Sequence, residues 1–451
     1  MSRKTIAVCS ILIMLLAAFF ARSPLSRHFF NKGIENRENG LLNESLGYFS
    51  RAVRLKGGFL DARFEEAVAH SLLGDNDKAI GLFSRITEID SDYAKAWFFR
   101  GAAFMDAGDY RSSLDDFTRS AELGYEPALS YTNRGIAHRE LNLEKEALED
   151  FSRALEIDPE HGRAWFHRGV LRANMGDFAG SAEDYNMALV YDEAGPELYL
   201  LRGATMAGLD NFIEAIRDYD RVLEMDAGYT GIYRDRGIFK RRISDYDGAI
   251  EDLSIALEYD PSDAEIWHHR GVSHANTGQM EKALDDFDRA AELDSSSPGT
   301  FLNRGLVWLR MGQASRAGED FARSVSIDDG NPQAFYLLGT AKALGGDYAG
   351  SVTEFTRALM IDDTHAMAWF NRGISRGILG HHDKAIGDFN RSIELQTENP
   401  GAYLQRAVSR INLNDLEGGC EDLRIALEMG MDDAGPMLKM YCSGRENVIV
   451  R

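Results

Sequence analysis

The sequence predicts an all-α fold, a solenoid of stacked helix-turn-helix units, on three observations. A dipeptide recurs every 34 residues, two amphipathic patterns fill each period, and a break follows each pattern. The dipeptide is Arg-Gly, at Arg100-Gly101, Arg134-Gly135, Arg168-Gly169, Arg202-Gly203, Arg236-Gly237, Arg270-Gly271 and Arg304-Gly305. The register runs on without insertion or loss through Gly339, Arg372-Gly373 and Arg406-Ala407, and back to Ala67 and Gly33. This frame gives twelve repeats over residues 26–433, preceded by a distinct segment, 1–25, and followed by 434–451.

Within a period, a large aromatic lies four residues before the small one, as in Trp97, Tyr131, Trp165, Trp267 and Trp369, which places both on one helix face. A second small residue follows twelve positions later, then a bulky residue and another small one, as in Ala147, Phe151 and Ala154; this is a second amphipathic helix. Gly-Asp-Tyr at 108–110 and Gly-Asp-Phe at 176–178 break the chain between the two helices. Asp158-Pro159 and Asp260-Pro261 end the second, because proline cannot continue a helix.

Composition agrees with a folded array. The 451 residues exceed what one compact core usually organises, while 44% apolar and 27% charged residues are far from a disordered composition. Nine prolines and no Gly/Ser-rich stretch leave no obvious interdomain linker. Residues 1–32 hold five Lys/Arg and no acid, so the remaining chain carries 45 basic against 72 acidic residues, a net charge of −27. Such a surface repels phosphate backbones and disfavours nucleic-acid binding.

The pattern resembles the tetratricopeptide repeat family, whose aromatic, glycine, alanine, bulky, alanine and proline positions are matched by Tyr131, Gly135, Ala147, Phe151, Ala154 and Pro159. Trp165, Gly169, Ser181, Tyr185 and Ala188 match it in the following unit. The resemblance implies a right-handed α-solenoid and a protein-binding role without a cofactor, in which the first helix of each unit lines a concave groove. Phe98, Phe166, Leu302, Tyr336 and Phe370 occupy groove places on that comparison and point to an apolar or helical peptide ligand. Arg234, Lys240, Arg241 and Arg242 interrupt this row, as does His268. They read either as an anchor for a partner's carboxylate or as a solvated helix end neutralised by Asp245 and Asp247. The family's Lys and Asn clamp for a terminal carboxylate is missing, since the Asn place holds Ala102, Ile136, Val170, Ala204 and Ile238.

Nine units carry Arg before the small residue, and all nine carry Asp sixteen residues later, as in Arg134 with Asp150 and Arg270 with Asp286. This co-occurrence predicts an ion pair between the two helices of a unit, worth about 0.5–1 kcal/mol if mostly exposed. Leu338 with Glu354 is the mismatch, and the first two units lack both partners.

Enzymatic chemistry finds no footing. Gly373-Ile374-Ser375-Arg376-Gly377 spells a nucleophile elbow, but it falls inside a first helix rather than a strand-to-helix turn. His268, His269 and His274 do not share i, i+4 spacing, and His381-His382-Asp383 sits in a turn, so a metal site is not expected.

At the N-terminus, Arg3 and Lys4 precede seventeen uncharged residues, Thr5 to Ala21, which read as an uncleaved membrane anchor in preference to a cleaved signal peptide. Cys420 and Cys442 are the two cysteines of the body, readable as a disulfide fastening a terminal capping helix or as two buried thiols. The expectation is a membrane-tethered, non-catalytic scaffold on the outer, periplasmic side of a bacterial membrane, binding protein or peptide partners. The other readings are an import receptor facing the cytosol and a cell-wall glycan binder.

Overall fold

The computed structural model describes residues 24–191 and 195–443, and all regular structure among them is helical. Every period supplies a first and a second helix, for example Gly162–Asn174 followed by Phe178–Tyr191, so the all-α reading and the helix-turn-helix unit hold throughout. The chain divides into two compact units between Ala227 and Gly228, at the edge of the sixth and seventh periods. In each unit a first helix packs on its own second helix, and that second helix packs on the first helix of the next period.

The core of every period is one bulky side chain on the second helix, set against the small residue of the first. In the N-terminal unit these side chains are Phe49, Phe83, Phe117, Phe151, Tyr185 and Tyr219; in the C-terminal unit they are Leu253, Phe287, Phe321, Phe355, Phe389 and Leu423. All are at most 3% exposed. In most of the glycine-bearing periods the approach is closer than a Cβ permits. A methyl at Gly305 would lie 2.6 Å from the Phe321 ring, and one at Gly373 would lie 2.6 Å from Phe389. The invariant glycine of the Arg-Gly dipeptide is therefore a packing requirement, although glycine inside a helix costs about 0.5–1 kcal/mol relative to alanine.

The breaks have separate causes. Between the helices of a pair, Gly108 and Gly176 adopt φ of 79° and 81°, the left-handed conformation that ends a helix with little cost for glycine. After the second helix, the tryptophan of the next period ties down the connecting loop: Trp165 Nε1 donates to Pro159 O at 2.9 Å and Trp267 Nε1 to Pro261 O at 3.0 Å. Trp97 and Trp369 make the same bond to Ser91 O and Asp363 O.

The last period is covered by a helix, Ala434–Cys442, whose Ala434 and Cys442 pack with Leu404, Ala407, Leu423 and Ala426. Cys420 and Cys442 are joined by a disulfide with Cα atoms 5.9 Å apart, which fastens this helix to the final repeat. The hydrophobic segment Thr5 to Ala21 lies outside the described residues. Among those described, no helix is long and apolar enough to cross a membrane.

Two glycine substitutions should move stability in opposite directions. Gly305→Ala forces the Phe321 ring to shift and is expected to destabilise by about 1–3 kcal/mol. Gly387→Ala, exposed on a second helix with nothing within 4 Å, is expected to stabilise by about 0.5–1 kcal/mol. Urea denaturation of the two variants checks the sign of each.

Candidate functional site

The Arg and Asp positions form a clip that repeats in nine periods. In each, the guanidinium meets the aspartate of the neighbouring second helix through two nitrogens, as in Arg202 Nε and Nη2 to Asp218 at 2.9 and 2.5 Å, and Arg406 to Asp422 at 2.9 and 2.6 Å. The third nitrogen reaches back to the second helix of the preceding period. Arg134 Nη1 donates to Thr118 Oγ1 at 2.7 Å, Arg202 to Asn186 Oδ1 at 2.8 Å, and Arg304 to Asp288 Oδ1 at 2.6 Å. The aromatic three residues before covers the guanidinium face, with Arg168 4.7 Å from the Trp165 ring and Arg372 4.5 Å from Trp369. One arginine thus joins three helices and two periods.

These pairs are not the exposed marks that the sequence implied. The aspartate side chains are 1–8% exposed and the arginines 8–21%, so deleting one partner strands a buried charge, which costs about 3–5 kcal/mol in comparable sites. A second nitrogen-bearing side chain, one helical turn after the arginine, also reaches the carboxylate in several periods. His138 lies 2.8 Å from Asp150, Arg172 3.0 Å from Asp184, Lys240 2.9 Å from Asp252, and Arg376 2.8 Å from Asp388. Where the sequence mismatches, this second position takes over: Lys342 pairs with Glu354 at 2.7 Å while Leu338 joins the core. In the period of Arg100 the second position holds Phe104, and burial pushes the Asp116 carboxyl up against the opposing effect of Arg100.

The opposite face of the first helices carries the candidate binding residues. The side chain just after the aromatic leans on the bulky core residue of its own period. Phe98 stands 5.7 Å from Phe117, Phe166 6.2 Å from Tyr185, Tyr336 5.8 Å from Phe355, and Phe370 6.0 Å from Phe389. Phe98 is only 8% exposed, because Tyr125 covers it edge-on at 5.5 Å. Phe166, Leu302, Tyr336 and Phe370 stay half-buried and keep one side at the surface. The Tyr336 hydroxyl accepts from Asn371 Nδ2 at 3.1 Å, linking two periods.

The basic group divides. Lys240 belongs to the clip, and Asp245 caps the following helix by accepting from Gly248 N at 3.1 Å. Arg234 is held by Asp263 at 3.0 Å, the last residue of its own period, and by Glu265 at the start of the next. Arg242 is exposed, and Arg241 is half-buried. His268 fits a neutral ring: Nδ1 lies 3.0 Å from Thr300 Oγ1, which itself donates to Ser297, and Nε2 faces the Asn303 amide nitrogen at 3.4 Å. Burial, reinforced by the Arg241 charge, pushes His268 and His269 down to about 4. His167, stacked on Phe151, is pushed down to about 3 by burial.

The elbow-like segment is helical, within Ala366–Ile378. Ser375 is 1% exposed and donates to Asn371 O at 3.0 Å, so its hydroxyl is held inside the helix pair. Among the described residues no group of three His, Cys, Asp or Glu side chains could hold a metal ion.

Residues 145–199 and 234–298 match one tetratricopeptide repeat model, and residues 128–161 match another. The periods in these stretches are tetratricopeptide repeats. No curated protein matches the chain. Among solved structures it is similar to YrrB, described as a tetratricopeptide repeat protein with an unusual peptide-binding site, at 22% identity over 42% of this chain and 97% of that one, with a TM-score of 0.40. A tetratricopeptide repeat protein from Parabacteroides merdae aligns at 16% identity over 55% of this chain and 98% of its own, with a TM-score of 0.40. The Cut9–Hcn1 hetero-tetramer of APC/C aligns at 14% identity over 94% and 99%, with a TM-score of 0.39.

Two adjacent periods test the clip. Arg202→Ala leaves Asp218 with no cation within ion-pair distance among the described residues, Met206 being at the second position, whereas Arg168→Ala leaves Asp184 with Arg172. Arg202→Ala is expected to cost at least about 1 kcal/mol more than Arg168→Ala in urea denaturation, and Met206→Arg to recover part of the loss.

The histidines set a pH dependence. Their folded pKa values lie below the ordinary value near 6.5, so the unfolded chain takes up protons first. Stability is complete above pH about 6.5 and falls as pH drops toward 4, on the order of 1 kcal/mol per histidine. The urea midpoint is expected to be lower at pH 5 than at pH 7.5, with a smaller difference in His167→Phe.

Proposed function

We propose that this chain is a non-catalytic scaffold that binds peptide segments of partner proteins along a groove formed by its first helices. The observation that carries this reading is the contrast between two sides of one repeated unit. Toward the second helix, nine of the twelve periods repeat the same arginine and aspartate beside a glycine or alanine. On the outer side of the first helix the side chain changes from period to period: Phe166, Leu200, Arg234, His268, Leu302, Tyr336, Phe370. A fixed frame with a varied, partly apolar face is how repeat proteins form extended recognition surfaces. Half-buried aromatics are suitable anchors, since they present large rigid area at low entropic cost.

The scaffold is held at, or exported across, a membrane by the hydrophobic segment Thr5 to Ala21, with the repeats on the extracytoplasmic side. The Cys420–Cys442 disulfide supports that side, because such bonds persist in oxidising compartments.

Selection of randomised peptides on the purified full-length chain in detergent tests the groove. Peptides enriched on the wild type are expected to lose at least about tenfold in affinity on a folded Tyr336→Ala, Phe370→Ala double variant. Unchanged affinity in that variant, with native circular dichroism, would remove the first-helix face from consideration.

A further inference from the structure

Arg241 has no place in the clip. The half-buried arginines of the first helices are otherwise held by acids or backbone oxygens: Arg172 by Asp184, Arg234 by Asp263 and Glu265, Arg376 by Asp388. Arg241 shows neither a hydrogen bond nor a carboxylate within ion-pair distance among the described residues, and its Nε is buried without a partner. Lys240 beside it turns inward to Asp252. Arg234, Ile238 and Arg241 follow i, i+4, i+7 spacing and share the other face, the one toward the next first helix and His268. Its electrostatic surroundings agree: burial and Arg242 both disfavour its charge, and the smaller opposing effect comes from Tyr246 rather than from a carboxylate. A half-desolvated guanidinium without a counter-ion is costly in a chain with a net charge of −22, where acids are abundant elsewhere.

We propose that Arg241 is the anchor for a carboxylate on the bound peptide, supplied by an Asp or Glu side chain or by the peptide's C-terminus. This rests on the peptide-binding reading above and adds its electrostatic specificity. The incoming carboxylate provides the counter-charge that the fold withholds, through charge-assisted hydrogen bonds. His268 contributes no charge there at neutral pH, since its ring is occupied by Thr300 and Asn303. Recognition is thus assigned to the one arginine, flanked by the apolar surface of neighbouring periods.

The test uses two random 12-residue peptide libraries, one with free C-termini and one amidated, selected on the full-length chain and on Arg241→Gln, Arg241→Lys and the exposed control Arg242→Gln, each checked by circular dichroism. Wild type and Arg242→Gln are expected to enrich peptides with an acidic residue at a fixed distance from an apolar one. Arg241→Gln is expected to lose that acidic preference and at least about tenfold in affinity for those peptides, with partial recovery in Arg241→Lys. Enrichment confined to the free-C-terminus library identifies the terminal carboxylate, and enrichment in both identifies the side chain. Apolar peptides without an acidic preference, or an acidic preference undiminished in Arg241→Gln, overturn the anchor while leaving the groove standing. Failure to enrich any peptide overturns both.

Discussion

The structure depends on a guanidinium placed where three helices meet. Arginine alone among the side chains offers five donors in a rigid planar fork, so it can bind one carboxylate with two nitrogens, turn a third toward the preceding period and lay its face on an aromatic ring. In Arg168 all of this is realised together: Asp184 in its own period, Ser152 in the previous one, Trp165 beneath. The same atom set fixes the pairing of helices inside a period and the stacking between periods. A lysine could form a point contact but could not do both, and in the periods that hold the acid, Lys serves at the second, auxiliary position, as Lys240 and Lys342.

The apolar core needs that clip less for energy than for registration. A ring such as Phe321 finds room only over Gly305, and the polar pair marks the same register a second time. A buried aspartate that must find its arginine admits one register only. Because both partners are largely desolvated, an incorrect register leaves a charge unpaired and is disfavoured by more than the loss of contact alone.

The sequence revealed the period, the helix pair, and the link between Arg and Asp, because these recur twelve or nine times and repetition substitutes for chance. It did not reveal that the aspartates are buried, since acids in an acidic chain resemble solvated surface until the packing is seen. The second partner of the aspartate was missed because its identity varies: His138, Arg172, Lys240 and Arg410 share a position but not a residue type. Among the face residues, Phe98 was indistinguishable from Phe166 by spacing. Only the fold brings Tyr125 over it, through a turn in which Glu126 takes φ 43°. The basic group was likewise separable only in three dimensions, where the acids that hold Arg234, Asp263 and Glu265, lie about thirty residues further along the chain.

The central claim is that the arginine–aspartate clip couples the helices energetically. A double-mutant cycle on Arg202 and Asp218, with Arg202→Ala, Asp218→Ala and the combined variant compared by urea denaturation, measures it directly. The account predicts a coupling energy of at least about 2 kcal/mol, and a value below about 0.5 kcal/mol, the size found for exposed surface pairs, would contradict it.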